Sequence, residues 1–347
     1  MKILVVSAHF GVGHVSHLKA YVSLATQCGY NVALYIDERY RPFLNEVDSP
    51  VLTNKNQIKA YMPDVILIYN TGTENIGIIK MGKRMGCKIA YVLHEPYCGI
   101  KLLMKEGDIH HISKIAAGYF VNAYICRKVD KVLLCSEEAI SHCKKYMKAA
   151  YKKSAFFPLI LPDNFEREGK REYFSMIGGF CEAHGSGEFL SFAKKCYKKS
   201  RICFQIFTRS DISAYLNDDI LQAMIKQKQL VVQQGRPLTE QEINGAYRNS
   251  ICVWNGYKKS TQSGVLANSF MQGTPVIATR TGSFEEYIAE GETGVFIDNY
   301  AYETIVSAYE KICKNIDRME KSCRETFLQK NFFGGQAERF MEIVASM

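Results

Sequence analysis

The sequence predicts an α/β fold in which two doubly wound parallel sheets are covered by helices. Strand and helix patterns alternate from one end of the chain to the other, which is typical of parallel sheets with helical crossovers. The strand-like segments are short apolar runs, as expected for strands that are buried on both faces. At 347 residues the chain exceeds the size at which one hydrophobic core usually stops growing, so we expect two domains.

The pattern in the first half of the chain predicts one domain over residues 1–165. Gly29 ends the first predicted helix, and Ser136 is a candidate N-cap for the last helix of this half. Buried strands are predicted over 3–7, 32–36, 65–69, 89–93 and 132–134, and helices over 15–28, 111–127 and 137–153.

A polar stretch over 162–171 separates this half from a second predicted domain, 166–335. Thr239 and Glu242 form a capping-box pattern, which opens a helix. Strands are predicted over 174–177, 202–207, 252–254 and 276–278, and helices over 188–198 and 239–248. Two such halves with a cleft between them are expected to bind ligands at the carboxyl ends of the strands.

Composition and charge narrow the classes of partner. The net charge is +9, from 44 Lys and Arg against 35 Asp and Glu, which suits an anionic partner such as a nucleotide diphosphate or a membrane surface. We do not expect nucleic acid, because the sequence has no RNA-recognition motif, zinc finger or arginine-rich tract. The twelve cysteines include no C-x-x-C pair and the N-terminal apolar run is short, so we expect reduced thiols and a cytoplasmic protein.

The most informative segment covers residues 261–297. Ser263 and Gly264 open a short predicted helix, and Gly273 can close it as a left-handed cap. The first amides of a helix have no intrahelical acceptor, and they lie at the positive end of its dipole. The start of this helix is therefore a candidate phosphate site, although an ordinary glycine-capped helix would show the same local pattern.

The whole segment resembles the nucleotide-sugar site of family-4 glycosyltransferases, a resemblance that is strong over 235–298, moderate over 1–36 and 89–139, and weak over 150–235. It implies the GT-B fold, two Rossmann-like domains facing across a cleft, with a C-terminal helix, 336–347, packed back on the first domain. It also implies a hexosyltransferase that moves sugar from a nucleotide sugar, a UDP-sugar, to a glycan or lipid-linked acceptor in cell-surface polysaccharide biosynthesis. Family precedent implies retention of configuration, with no cofactor and no required metal.

The donor site that this resemblance implies departs from the family pattern. Family members often carry two glutamates before the Gly-Thr-Pro, and aligning on Gly273 puts Ser260 and Asn268 there. Members also often have an Arg and a Lys after the first strand of the second domain, whereas the loop 178–187 has neither. Arg209, Lys258 or Lys259 could supply the charge instead. The donor residues implied are Gly13, Arg209, Lys258, Ser263, Gly264, Val265, Asn268 and Glu286.

The resemblance places the acceptor and the chemistry on the first domain. His94 ends the strand 89–93 and matches a family histidine near the donor sugar and the attacking hydroxyl, so it is the candidate catalytic residue. The loop after the first strand does not fit G-x-G-x-x-G, because Ser16 occupies the third glycine position. It resembles the glycine loop of the family. Gly11, His14 and Glu95 are the acceptor-side residues implied.

A cluster of lysines marks the predicted helix 137–153. Positions 144, 148 and 152 would share one face of a continuous helix. Such a face is either solvated or docked on anionic lipid, and the second case predicts a peripheral protein on the inner face of the cell membrane. The residues concerned are Lys144, Lys145, Lys148, Lys152 and Lys153.

Two other functions remain open at this point. A GT-B sugar-nucleotide epimerase would need several carboxylates in the cleft, and the absence of the two family glutamates disfavours it. A non-catalytic GT-B protein that binds a sugar nucleotide or serves as a partner subunit fits the missing glutamates and the missing Arg and Lys.

Overall fold

The computed structural model divides the chain into two units. The first comprises Met1–Pro162 and Asn331–Met347, and the second comprises Asp163–Lys330. The sequence pattern had placed these boundaries after residues 165 and 335. The structure describes residues 1–44, 47–94, 96, 109–166, 169–258, 260 and 263–347.

The described part of the first unit contains a parallel sheet of strand order β3-β2-β1-β4-β5-β6-β7. Its strands are β1 (Lys2–Ser7), β2 (Asn31–Ile36), β3 (Val51–Leu52), β4 (Val65–Ile68), β5 (Lys88–Val92), β6 (Lys131–Leu134) and β7 (Ser154–Phe156). Its helices within residues 1–162 are α1 (Val15–Gln27), α2 (Lys55–Tyr61), α3 (Glu74–Arg84), α4 (Ile109–Lys128), α5 (Glu137–Tyr146) and α6 (Lys148–Tyr151).

Strand β1 explains why this sheet lies in the middle of its unit. Ile3 and Val5 belong to one hydrophobic core, and Leu4 and Val6 belong to another. Successive side chains of a strand point to opposite faces, so a continuous apolar run supplies both cores at once.

One predicted helix is wrong in its extent. Ser136 does cap α5, because its hydroxyl accepts from the amide of Ala139 at 3.0 Å. The helix then breaks at Met147, where φ is −129° and ψ is 61°, instead of continuing to residue 153. A straight helix through those seven residues would carry the chain on by roughly 10 Å. Strand β7 must instead begin at Ser154, which pairs with Val132.

The described part of the second unit contains a parallel sheet of order β10-β9-β8-β11-β12-β13. Its strands are β8 (Tyr173–Ile177), β9 (Cys203–Phe207), β10 (Leu230–Gln233), β11 (Ser250–Asn255), β12 (Val276–Thr279) and β13 (Gly294–Ile297). Its helices are α7 (Ser186–Cys196), α8 (Ser213–Leu216), α9 (Asp219–Lys226), α10 (Glu240–Arg248), α11 (Gly264–Met271), α12 (Phe284–Tyr287), α13 (Tyr302–Lys314) and α14 (Ile316–Lys330).

Both sheets are doubly wound, as predicted. In each unit the first strand lies between the second and the fourth. Strand β1 lies between β2 and β4, and strand β8 lies between β9 and β11. The direction of winding therefore reverses between β1 and β4, and again between β8 and β11. In such sheets ligands bind outside the carboxyl ends of the strands at the reversal.

The chain returns to the first unit after Lys330. The amide of Leu161 donates to the carbonyl of Asn331 at 2.9 Å, and the Asn331 side chain donates to the carbonyl of Leu159 at 2.8 Å. The last helix, α15 (Ala337–Ala345), packs Phe340 into the same core as Ile3 and Val5. In the described part of the chain, none of the helices has the length and hydrophobicity needed to span a membrane.

Candidate functional site

The reversal in the second sheet brings together the loop after β8 and the start of α11. Gly178 follows β8 directly, and a Cβ added to it would lie 3.0 Å from Cγ2 of Val265. Val265 is in the first turn of α11. The carboxyl end of β8 therefore lies against the helix start that the sequence identifies as a phosphate site.

The predicted caps of α11 are confirmed. Ser263 is the N-cap, and its hydroxyl accepts from the amide of Leu266 at 3.2 Å. At the other end Gly273 has a φ of +64°, the left-handed conformation expected of a closing glycine. The amides of Gly264 and Val265 are left without an intrahelical acceptor. A Cβ placed on Gly264 would meet no heavy atom of the described residues within 4 Å, apart from its chain neighbours and its own helix backbone.

Asn255, at the carboxyl end of β11, belongs to the same site and was missed by the sequence analysis. The residue is fully buried, and its Oδ1 lies 3.5 Å from Oγ of Ser263. Its Nδ2 has no hydrogen-bond partner within the part of the chain that the structure describes. A polar residue directly after the buried run Val253–Trp254 was the available signal.

The loop between β8 and α7 is held by hydrogen bonds and ring stacking to β11 and to the residues that follow it. The indole Nε1 of Trp254 donates to the carbonyl of Gly185 at 3.1 Å. The His184 ring stacks on Tyr257 with centroids 4.2 Å apart, and the amide of Lys258 donates to Ala183. Burial raises the pKa of Tyr257 to about 12, an effect that a hydrogen bond with Ser263 opposes.

Lys258, a candidate donor cation, is engaged by carboxylates of this same region. Its Nζ forms an ion pair with Glu182 and lies 2.7 Å from Oε1 of Glu188. The hydrogen bond with Glu182 and then that with Glu188 raise the pKa of Lys258 above its usual value. Its positive charge is therefore already balanced within the protein. The alternative cation, Lys259, lies outside the described residues.

The other two candidate donor side chains of this region differ in their surroundings. Arg209 follows β9 and is exposed, with no ion pair to it among the described residues. Asn268 uses its Nδ2 to donate to the carbonyl of Gly264 at 2.7 Å, within its own helix. Its Oδ1 can still accept from a ligand hydroxyl, and its second amide hydrogen can still donate to one.

Glu286 lies in α12, after the loop that follows β12. The ammonium of Lys330 donates to the backbone carbonyl of Glu286 at 2.7 Å. Gly282, in the loop before α12, packs directly on Ser260: an added Cβ would lie 1.6 Å from the Ser260 carbonyl oxygen. The segment that leads to Glu286 and the segment that leads to Ser263 are therefore in backbone contact.

At the reversal in the first sheet, a buried tyrosine holds the glycine loop in place. The sequence analysis did not identify this residue. The hydroxyl of Tyr40 accepts from the amide of Gly11 at 2.9 Å and from the hydroxyl of Ser7 at 3.1 Å. It donates to the carbonyl of His9 at 2.9 Å. The loop then makes a 3-10 turn over Val12–His14, which contains Gly13, and leads into α1.

His14 and His94 come together at this edge of the first sheet. Their rings are within 9° of parallel, with centroids 6.1 Å apart. Nε2 of His94 donates to the carbonyl of Tyr69 at 2.9 Å, and the Tyr69 ring lies edge-on to His94 at 4.4 Å. In a neutral His94 ring the other nitrogen, Nδ1, is therefore the acceptor. Glu95 lies outside the described residues.

The predicted lysine face is wrong in its geometry, since the helix that would carry it breaks at Met147. Lys153 does not project into solvent with the others: its Nζ donates to the carbonyl of Val129 at 2.7 Å and to that of Arg127 at 3.0 Å. It therefore caps the end of α4. The remaining members of the cluster are exposed: Lys144, Lys145, Lys148 and Lys152.

No group of three or more His, Cys, Asp or Glu side chains placed to hold a metal ion occurs in the described part of the chain.

The sequence of the second unit matches the family model "Glycosyl transferases group 1" over residues 213–326. A comparison with curated protein sequences gives no match.

Solved structures with the same fold cover the chain from end to end. Anabaena HepE in complex with UDP is 12% identical, covers 100% of both chains and has a TM-score of 0.72. Sucrose-phosphate synthase from Thermosynechococcus elongatus is 11% identical and has a TM-score of 0.73; the match covers 100% of this chain and 98% of the synthase chain. The pneumococcal O-GlcNAc transferase GtfA, in complex with UDP and GlcNAc, is 10% identical, covers 100% and 99%, and has a TM-score of 0.69. The two doubly wound sheets thus have the GT-B fold, and residues 213–326 of the second unit match the family model of group 1 glycosyltransferases.

Proposed function

We propose that this protein is a hexosyltransferase that takes its sugar from a UDP-sugar and transfers it, with retention of configuration, to a glycan or lipid-linked acceptor in cell-surface polysaccharide biosynthesis. The observation that carries the proposal is the capped start of α11 beside the carboxyl end of β8. The family match includes this helix. Structures of the same fold contain UDP in the Anabaena protein and UDP with GlcNAc in the pneumococcal enzyme, which supports a uridine nucleotide.

The second unit would bind the donor diphosphate. The amides of Gly264 and Val265 lie at the positive end of the α11 dipole and have no acceptor within the helix. When the bond between sugar and diphosphate breaks, negative charge develops on the leaving phosphate. Amides that are already oriented stabilise that charge without reorganising, and this lowers the barrier. Exposed Arg209 would add positive charge, and transfer would require no metal.

The first unit would bind the acceptor near the paired rings of His14 and His94. Tyr69 holds His94 in a single orientation, through its carbonyl and its ring. A histidine fixed in this way can hold a sugar hydroxyl in one orientation. We assign His94 the role of orienting the reacting groups.

Two substitutions at one position test the phosphate site. Gly264→Pro removes the amide donor at the first helical position, where proline is well tolerated. Gly264→Ala keeps the amide, and its Cβ has space among the residues that the structure describes. A hydrogen bond to a charged group contributes about 1.5–3 kcal/mol, so the proline variant should bind UDP roughly 10–100-fold more weakly, while the alanine variant binds normally. Equal affinities of both variants in calorimetry would show that the phosphate binds elsewhere.

A panel of nucleotide sugars separates the proposal from the two alternatives. A transferase releases UDP by transfer or slow hydrolysis at C1 and leaves the ring carbons of the sugar unchanged, whereas an epimerase gives a sugar inverted at a ring carbon such as C2, either attached to UDP or released from it. A non-catalytic protein would bind without turnover. Anomeric configuration of the product, followed by NMR, tests retention, and activity in excess EDTA tests the expected independence from metals.

We also propose that the protein works on the inner face of the cell membrane, as a cytoplasmic enzyme with a lipid-linked acceptor would. The four exposed lysines of α5, α6 and the residue after it support this docking on anionic headgroups. Lys153 is not included, because its ammonium is bound to backbone carbonyls.

A further inference from the structure

His184 lies at the reversal of the second sheet without a role in any of the steps above. It belongs to the short 3-10 turn Glu182–His184, between β8 and α7. Its ring is half-buried and held on two sides. One face stacks on Tyr257 at 4.2 Å and 14°, and Nδ1 donates to the carbonyl of Gly179 at 2.8 Å.

The same glycine pair connects His184 to the helix start. A Cβ on Gly179 would lie 3.1 Å from Cε1 of His184, and a Cβ on the preceding Gly178 would lie 3.0 Å from Val265 in the first turn of α11. Tyr257, on which His184 stacks, hydrogen bonds with Ser263, the N-cap of that helix. His184 is therefore linked to the start of α11 along two routes, one through Gly178 and Gly179 and one through Tyr257.

The hydrogen bond to Gly179 decides what the other ring nitrogen can do. Because Nδ1 must carry a hydrogen to donate to a carbonyl, a neutral His184 has only an acceptor at Nε2. No hydrogen bond to Nε2 occurs within the described residues, and the atom is not buried. A phosphate oxygen offers only lone pairs in this position. It can bind Nε2 only when the ring has taken up a second proton and become a cation.

The charged side chains around His184 are paired with one another. Glu182 on its own turn and Glu188 on α7 both pair with Lys258, which follows β11. The neutral groups facing the region are the thiol of Cys181 and the hydroxyls of Tyr257 and Tyr300; the last of these donates to the carbonyl of Gly256. Lys258 is thus paired with two carboxylates, and the loop 178–187 contains no Lys or Arg.

We propose that His184, as an imidazolium, binds a phosphate of the donor, so that each donor molecule is bound together with a proton and donor affinity falls as the pH rises. The inference rests on the proposed function. Histidine side chains change charge between about pH 5 and 8, so the effect lies within the working range of an enzyme. Wherever the free ring is neutral, binding has to take up a proton, which weakens it by up to tenfold for each pH unit.

Calorimetry with UDP-glucose from pH 5.5 to 8.5 tests this. Both phosphates of UDP-glucose are esterified and keep a constant charge over the range, so the ligand itself does not titrate. The wild type should lose at least tenfold in affinity as the pH rises, and titrations in buffers of different ionisation enthalpy should reveal proton uptake. His184→Gln should bind about tenfold more weakly than the wild type at pH 5.5, and its affinity should not change with pH. His184→Lys, a permanent cation below pH 9, should bind well across the range.

His142→Gln is the matched control, because His142 lies on α5 of the first unit, 3.1 Å from Glu138. It should retain the pH dependence of the wild type. Binding of UDP-glucose by the wild type with an affinity independent of pH would overturn the role of His184 and leave the proposed function intact. The same holds if His184→Gln keeps the wild-type slope. Absence of binding at every pH would overturn the UDP-sugar assignment, and this inference with it.

Discussion

The contact between Gly282 and Ser260 makes a sharp prediction about the donor site. Gly282 has a φ of +58°, and a Cβ added to it would lie 1.6 Å from the carbonyl oxygen of Ser260. That is about 1.4 Å short of the 3.0 Å that real Cβ contacts need. In Gly282→Ala the backbone at residue 282 and the backbone at Ser260, three residues before the N-cap of α11, must therefore move apart by more than 1 Å.

The expected consequence is a specific loss of binding. The left-handed conformation costs an alanine about 1–2 kcal/mol of stability, and a shift of about 1 Å at a binding group costs on the order of a hundredfold in function. We expect Gly282→Ala to weaken UDP binding by roughly 10–100-fold in calorimetry. Gly291→Ala is the matched control: its φ is +77°, but its Cβ would meet only the Lys311 side chain, at 3.8 Å. It should lose similar backbone stability and keep its affinity.

Two results would refute this reasoning. If Gly282→Ala bound UDP as well as Gly291→Ala does, the Ser260 segment would have no part in shaping the site. If both variants lost affinity equally, the loss would reflect general destabilisation of the second unit.

Three further predictions concern the first unit. His94→Ala should lower turnover at least tenfold with little change in UDP affinity; a wild-type rate would leave His94 a purely structural role. Burial lowers the pKa of His17 from 6.5 to about 4. As the pH falls, the unfolded chain therefore binds a proton at this residue before the folded chain does. The stability that the residue contributes is lost as the pH falls from 6.5 towards 4. The loss amounts to about 3 kcal/mol, and urea unfolding of His17→Gln should show a correspondingly shallower pH dependence, whereas an unchanged slope would contradict it. A variant with three of the exposed lysines replaced by Gln should bind anionic liposomes roughly a hundredfold more weakly than the wild type at low salt. Equal pelleting of the variant and the wild type with the liposomes would contradict this. The positions changed are Lys144, Lys148 and Lys152.

Local features of the site could be read from the sequence because local chemistry determines them. Ser263 caps α11 by bonding to an amide three residues away. Gly273 closes the helix because the cap needs a left-handed backbone. Thr239 and Glu242 form the predicted capping box. The alternation of strands and helices likewise predicted the two parallel sheets.

Features that depend on distant parts of the chain could not be read in this way. The pairing of Lys258 with Glu182 joins residues 76 positions apart, so nothing in the local sequence shows that its charge is engaged. Tyr40 reaches Gly11 from a separate 3-10 turn. The lysine helix looked continuous because its composition gives no sign of a break, while the break follows from where β7 must begin.

The return of the chain to its first unit has a consequence for biosynthesis. The second unit is one uninterrupted segment, so all of it is synthesised before residues 331–347 of the first unit. Asn331, which bonds to Leu159 and Leu161, and Phe340, which fills the core beside β1, are among those last residues. The half that emerges first is therefore completed last, because its core lacks Phe340 until α15 has been made.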